Sequence, residues 1–339
     1  MILVTGATGL VGSHLLAQVL QLNKPIRAIY RSQEKVIYVK KLLLSCYPNL
    51  TALQLERIEW VNATLENIPQ LSDTFQGIDE VYHCAGYISY NLSEKEYKKL
   101  RKVNIEGTSN MVNLALSHSV KKFCHVSSIA TLGSELNKKM VTEVSPRNNE
   151  KKYDNYSITK YGAEMEVWRA SQEGLNVVIV NPGIIIGEGF CKSGSGLLFS
   201  KVKKGLSYYI PLITGFVDVK DVTKAMVSLM TSHIKQERFI LVGENLSFKV
   251  ILQQIAKELK CQAPKKAIKS WMISLGWIFQ SIGRKLLGTP QEITQLSIKA
   301  AFNETFYNTT KIEEAIDLQF TPLEKTIKRV SKYYIDTNN

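Results

Sequence analysis

The chain is poor in cysteine, and the few it has are spaced for neither bridges nor metal. Only five occur in 339 residues: Cys46, Cys84, Cys124, Cys191 and Cys261. The number is odd and no Cys-x-x-Cys pair exists, so no disulfide framework or zinc site is readable. Cys84 and Cys124 stand in apolar runs, where a thiol behaves as a small hydrophobe. No stretch reaches 18 uncharged apolar residues, so no spanning helix is expected. Met1-Ile2-Leu3-Val4 runs straight into Thr5-Gly6 with no basic segment and no long apolar one. No secretory signal is therefore read, and a cytoplasmic location is expected. Internal repeats and Pro- or Ser-rich linkers are missing too, which leaves no clean domain boundary.

What is present is ordinary for a globular chain: 45% hydrophobic, 22% charged and 20 glycines. That composition excludes disordered and collagen-like classes. The length suits one large α/β domain, or a core with a smaller lobe. Charge is the unusual feature, with 43 basic against 30 acidic residues and a formal net charge of +13. Such a balance suits phosphates, nucleic acid or an anionic membrane, and equally a solvated basic surface. The lysine pairs at 98–99, 121–122, 138–139, 151–152 and 203–204 are scattered, with no DNA- or RNA-binding module around them. Nucleic acid is not an expected partner.

Short apolar runs alternate with helical patterns along the first half. Strands are expected at 2–4, 26–30, 57–61, 80–84, 122–126 and 176–180. Helices are expected at 10–22, 33–45, 93–117 and 155–172. This rhythm means βαβ units, a parallel sheet and helices on both faces. After Gly187 the rhythm changes. Glycines 183, 187, 189, 194 and 196 cluster, which predicts a mobile loop. A helix is expected at 221–233, a strand at 238–242 and a helix capped by Ser247 to about Leu259. Thr289-Pro290-Gln291-Glu292 and Thr321-Pro322-Leu323-Glu324 both read as helix starts, the second with a capping box. The last third is therefore expected to be mainly helical.

The first strand leads into Gly6-x-x-Gly9-x-x-Gly12 and then a helix. Gly6 permits a tight turn, Gly9 lets backbone approach a pyrophosphate, and Gly12 allows close helix packing. Helix N–H groups would then face the anion. Placed between a strand and an amphipathic helix, the triplet predicts a dinucleotide site. An NAD site usually offers an acid to the ribose hydroxyls about 20 residues on. Here the place reads Ile29-Tyr30-Arg31-Ser32. Arg31 can pair with a 2′-phosphate, helped by Ser32 and Lys35, which points to NADP(H) with NAD as the alternative. A stacked or solvent-facing Arg31 is the other reading.

Two Tyr-x-x-x-Lys pairs exist, and position separates them. Tyr307–Lys311 lies in a polar tract outside the nucleotide region. Tyr156–Lys160 opens a helix and follows Ser127-Ser128 at the end of a strand, where a parallel sheet places its ligand crevice. Spacing i, i+4 puts Tyr156 and Lys160 on one helix face. Carbonyl reduction needs a proton donor, and a phenol of pKa ~10 is sluggish at neutral pH. A neighbouring ammonium lowers that value. Ser128 would hold the substrate oxygen, with Ser127 as the candidate if the register slips by one.

The order TGATGLVG, HVSSIATLG, YSITK and NPG resembles the extended short-chain dehydrogenase/reductases over nearly the whole chain, best over 1–190. The resemblance implies an α/β fold: a Rossmann-type doubly wound parallel sheet with a smaller, mainly helical C-terminal substrate lobe. It implies a dinucleotide-binding core at 1–187 and a substrate lobe at 188–339, with segments near 215–242 returning to the core. It maps catalysis onto Ser128, Tyr156 and Lys160. Lys160 would also hold the nicotinamide ribose. Cofactor contacts fall on Gly6, Thr8, Gly9, Leu10, Val11, Gly12, Arg31, Ala85, Gly86, Tyr156, Lys160, Pro182 and Gly183. The family usually has an Asp near the adenine after the third strand; here Thr64 stands in its place, followed by Leu65.

Dehydratases of this family carry an acid just after the active-site Ser or Thr, whereas Ser128 is followed by Ile129-Ala130-Thr131. The Asn181-Pro182-Gly183 form and Arg31 look more like the dihydroflavonol-reductase-like branch. The expected activity is hydride transfer between a nicotinamide and a small-molecule carbonyl or alcohol. A nucleotide-sugar epimerase with tightly held NAD, and a non-catalytic dinucleotide sensor, are the alternatives. The acid-free stretch from Lys260 to Gln291 holds Trp271, Leu275, Ile278 and Ile282 on one helix face. A lid over the substrate, a packing surface and a membrane-surface helix are its readings. The resemblance also suggests a homodimer.

Overall fold

The expected apolar runs pair into one parallel sheet of seven strands in a computed structural model. It describes residues 1–91, 93–133, 140–148, 152–276, 280 and 295–338, with 295–297 as backbone only. Across the sheet the strands run Glu237–Leu241, Val177–Pro182, Lys122–Val126, Glu80–His83, Ile2–Thr5, Ile26–Tyr30 and Ile58–Asn62. Every neighbouring pair is parallel. Successive side chains go to opposite faces. Val4, Tyr82, Cys124 and Val178 fill one face, while Leu3, Val81, Phe123 and Val177 fill the other. Both faces are buried, which is why the strands read as unbroken apolar runs. Helices Leu10–Val19 and Val219–Thr231 cover the first face, and Gly107–Ser117 and Asn155–Gln172 the second. Each fully buried Leu, Ile or Val here contributes roughly 1.5–3 kcal/mol.

Strand order reverses between Ile2–Thr5 and Glu80–His83, from which the chain fans out to opposite edges. The crevice beyond the carboxyl ends of these two strands is where open α/β sheets receive ligands. The expected single helix over 93–117 is instead Glu94–Leu100, a π-helical turn Arg101–Glu106, and Gly107–Ser117. The widened turn carries Asn104, which is buried.

The C-terminal lobe is built on a small sheet that the sequence reading did not anticipate. Its order is Glu244–Ser247, Ile213–Asp218 and Ile184–Ile186. Phe216 and Ile186 from this sheet pack on Ile251, Leu252 and Ile255 of helix Phe248–Glu258. Leu323, Ile327 and Val330 of helix Leu323–Asn338 complete that core. Ser247 caps its helix as expected, accepting from the Val250 N–H. Thr321 does not cap. Its hydroxyl and N–H both donate to Asp221, at 2.9 and 2.7 Å. The Pro322 carbonyl instead accepts the first helical N–H groups, from Lys325 and Thr326.

The glycine-rich segment from Gly187 is fastened rather than loose. The Glu188 carboxylate is buried and takes Arg329 Nε at 2.6 Å, while Arg329 Nη2 reaches Asp218 at 2.8 Å. His14 Nε2 bonds the Glu188 carbonyl, and the Tyr38 hydroxyl donates to Gly189. In the acid-free stretch, Trp271 and Leu275 are exposed and Ile273 turns inward. Ile278 and Ile282 lie outside the described residues, as do Arg284, Lys285, the helix start at Thr289-Pro290, and Lys138, Lys139 and Lys151. Among the described residues no helix is long and apolar enough to cross a membrane.

Candidate active site

The turn after the first strand is shaped by its glycines. Gly6 has φ +65°, and a Cβ there would meet Ala85 N at 2.6 Å. The first and fourth strands are therefore knitted together at the crevice floor. A Cβ on Gly12 would stand 2.2 Å from the Gly6 carbonyl oxygen. Gly12 thus seats the helix on the turn itself, closer in than the sheet packing expected. Gly9 differs: a Cβ there would touch only the Gly6 oxygen, at 3.3 Å. The Gly9 N–H closes the turn onto Gly6 at 2.9 Å. Gly9 caps the helix without a side-chain bond, and no acid stands in the first turn. The half-buried Thr8, Leu10 and Val11 flank it. A phosphate group fits such an end, because free N–H groups and the helix dipole both favour an anion.

Arg31 follows strand Ile26–Tyr30 directly and is exposed. It forms no ion pair among the described residues. Ser32 occupies the N-cap of the next helix without a side-chain capping bond, and Lys35 is exposed on its first turn. The guanidinium is therefore free for an incoming anion. Thr64 is half-buried after the third strand. Leu65 packs its side chain at Gly107, and its carbonyl accepts from Asn110 at 2.8 Å. Ala85 donates its N–H to Thr5 Oγ1 at 3.3 Å. A Cβ on Gly86 would lie 4.0 Å from Lys160 Nζ. Gly86 thus joins the glycine turn to the Tyr–Lys helix.

Ser128 lies two residues beyond the strand Lys122–Val126 and caps the short 3₁₀ turn Ile129–Thr131, its Oγ accepting from Ala130 N. Tyr156 and Lys160 lie one turn apart on Asn155–Gln172, capped by Asp154 through the Ser157 N–H. Burial holds the Tyr156 phenol above its ordinary pKa, with Tyr90 and Asp154 adding to the rise. A hydrogen bond from Ser128 opposes it. The expected lowering by Lys160 is not among the main influences. Lys160 Nζ instead donates to the Val126 carbonyl at 2.7 Å. Its own pKa is pulled down to about 8 by burial, with Glu164 opposing the shift. Ser127 is committed elsewhere, donating to Glu164 Oε2 at 2.5 Å. The second pair does not form a site: Tyr307 sits in a ladder with Met140–Val141, and Lys311 pairs with Glu237.

Pro182 is buried inside strand Val177–Pro182, opposite Leu241. Gly183 is held there by crowding, since a Cβ would stand 2.4 Å from the Gly215 carbonyl oxygen.

Two residues at this place escaped the sequence reading. Asn104, in the π-helical turn, accepts from Tyr87 N at 2.8 Å and donates to Thr159 Oγ1 at 3.1 Å. It ties the segment after Gly86 to the helix of Tyr156. Only an interruption in a helical pattern could have signalled it. Glu164 is fully buried and accepts from Ser127, Thr131, Asn181, Trp168 and Arg238. The spacing Tyr156, Lys160, Glu164 was its only trace.

Residues 2–243 match the family model described as the NAD dependent epimerase/dehydratase family. A putative dihydroflavonol 4-reductase from Synechocystis is 25% identical over 331 residues, 96% of this chain and 91% of that one. Sterol demethylase protein B from Methylococcus capsulatus is 28% identical over 277 residues, 78% and 76% of the two chains. Among solved structures, a UDP-glucose 4-epimerase from Thermotoga maritima superposes with a TM-score of 0.76 at 17% identity, covering 100% and 99%. That likeness concerns the fold. With the glycine turn, the Tyr–Lys helix and the family match in agreement, the chain belongs to the NAD dependent epimerase/dehydratase family.

Proposed function

We propose that the protein is an NADP(H)-preferring oxidoreductase that interconverts a small-molecule carbonyl and its alcohol. The observation that carries this reading is the Tyr156–Lys160 helix set against the glycine turn: a Cβ on Gly86 would lie 4.0 Å from Lys160 Nζ, and one on Gly6 2.6 Å from Ala85 N. Gly6 to Gly12, Ala85 and Gly86 would hold the dinucleotide's phosphates and ribose, Pro182 and Gly183 would border the nicotinamide, and Arg31 would take the 2′-phosphate. When bound, the nicotinamide supplies or accepts the hydride.

The chain's own residues handle the oxygen and the proton. Ser128 Oγ positions the substrate oxygen next to the phenol. A phenol held above its ordinary pKa stays protonated at neutral pH, as a donor to a developing alkoxide must be. Moving the Lys160 ammonium toward the phenol would favour the phenolate, the form that accepts a proton from an alcohol. The exposed Tyr90 stands beside this place, its ring centroid 6.1 Å from that of Tyr156. It supports an apolar, ring-bearing substrate. The 188–339 lobe would supply the other wall, while Val219–Thr231 and Glu237–Leu241 belong to the core.

Tyr156→Phe tests the assignment. Carbonyl-dependent turnover should fall roughly 10²–10⁴-fold in a variant that still binds the dinucleotide, and unchanged turnover refutes it. Cofactor choice is tested by titrating NADPH and NADH. Arg31→Ala should weaken NADPH about 10–100-fold, the worth of a charged hydrogen bond, and spare NADH. A wild type that prefers NADH overturns that part.

A further inference from the structure

We propose that Glu164 is the positioning residue of the active site, clamping three elements through one buried carboxylate. The proposal rests on the roles given above to Ser128, Tyr156 and Lys160. Glu164 Oε2 accepts from Ser127 Oγ at 2.5 Å, Thr131 Oγ1 at 2.8 Å and Asn181 Nδ2 at 3.0 Å. Oε1 accepts from Arg238 Nη1 at 2.9 Å and Trp168 Nε1 at 3.4 Å. Ser127 and Thr131 bracket Ser128 on its turn. Asn181 precedes Pro182 and also donates to the Ser128 carbonyl at 3.2 Å. Glu164 itself lies one turn after Lys160 on the helix of Tyr156.

A single anion thus fixes the distance between the serine turn, the Tyr–Lys helix and the end of the strand that carries Pro182. Such a network rigidifies as its members are satisfied, and here only the Asn181 Oδ1 lacks a partner among the described residues. The arrangement costs more than packing requires, because a buried ion pair gives little net stability over an apolar replacement. Its role is explained by geometry at the reacting oxygen, where a shift of about 1 Å can cost 10²-fold in rate.

Glu164 also sets the charge on Lys160. The groups facing that ammonium are Glu164 on its own helix, His83 and Cys84 at the end of one strand, and His125 on the next. Burial keeps both imidazoles neutral. Burial also keeps the Cys84 thiol neutral, so among the described residues Glu164 is the anion that supports the charged form.

The test is Glu164→Gln in the full chain, followed by thermal melting, NADPH titration and the pH profile of kcat. The expected result is a folded protein that binds NADPH as wild type does, with kcat at least tenfold lower. Its alkaline limb should move down by about one pH unit, the scale of one charge a helical turn away. A folded variant with wild-type kcat and an unmoved limb overturns the proposal. Should Glu164→Gln not fold, the double variant Glu164→Leu, Arg238→Leu removes the pair without leaving a lone charge. Low kcat with restored melting supports the positioning role, and wild-type kcat overturns it. Failure of the underlying assignment looks different, since Tyr156→Phe would then be as active as wild type.

Discussion

Replacing Lys160 by Met is expected to stabilise the fold at neutral pH while abolishing the chemistry. Lys160 is 5% exposed, and burial brings its pKa from 10.5 to about 8. The folded chain therefore holds the charged form at a penalty of ~3 kcal/mol at pH 7, at roughly 1.4 kcal/mol per pKa unit. The sign follows from proton counts. Between about pH 8 and 10.5 the folded chain has released the proton and the unfolded chain has kept it, so stability from this group rises with pH. By pH 10 the penalty has fallen to ~1 kcal/mol. Met fills the same channel but gives up the bond to the Val126 carbonyl, worth about 1 kcal/mol. The net gain is ~2 kcal/mol at pH 7 and about zero at pH 10. Urea unfolding of both proteins at the two pH values measures the difference, in which titrating groups remote from Lys160 cancel. A variant less stable than wild type at pH 7, or a difference that does not change with pH, refutes the reasoning.

Gly12→Ala places a Cβ 2.2 Å from the Gly6 carbonyl oxygen; it should cost about 1–3 kcal/mol as overpacking and weaken dinucleotide binding, both readable in a melt with and without NADPH. His125 is fully buried and neither ring nitrogen has a hydrogen-bond partner among the described residues. His125→Leu should therefore raise the urea midpoint, since an unsatisfied buried polar group costs about 1–3 kcal/mol; a lowered midpoint argues against this. Arg329→Met leaves the buried Glu188 and Asp218 carboxylates unpaired. It should cost about 3–5 kcal/mol, measured by chemical denaturation, and a loss below 1 kcal/mol contradicts the reading of that cluster.

The core was legible because its signals are local. Strand Ile26–Tyr30 and helix Asn155–Gln172 coincide with their apolar patterns, and Gly6 and Gly12 are glycines because backbone leaves no room for a Cβ. What was missed depends on distant partners. Thr321 reads as a cap from four residues of sequence, but Asp221, 100 positions away, takes its hydroxyl. The π-helical turn keeps an apolar pattern close to that of a regular helix, so the break at Arg101–Glu106 did not show. Strands Ile184–Ile186 and Ile213–Asp218 hide because the first follows Pro182 almost without a gap and the second is interrupted by Gly215. Glu164 gathers donors from positions 127, 131, 181 and 238, a convergence no window of sequence displays. The Tyr156–Lys160 spacing was correct about the helix face and silent about Val126, whose carbonyl draws the ammonium away from the phenol.

The most direct test of the central claim follows the nicotinamide absorbance of NADPH mixed with a panel of apolar ketones and aldehydes, using wild type and Tyr156→Phe side by side. The account predicts carbonyl-dependent loss of absorbance with wild type, and a rate at least a hundredfold lower with the variant. Equal rates for the two proteins, or a wild type that binds NADPH and reduces no member of the panel, would contradict it.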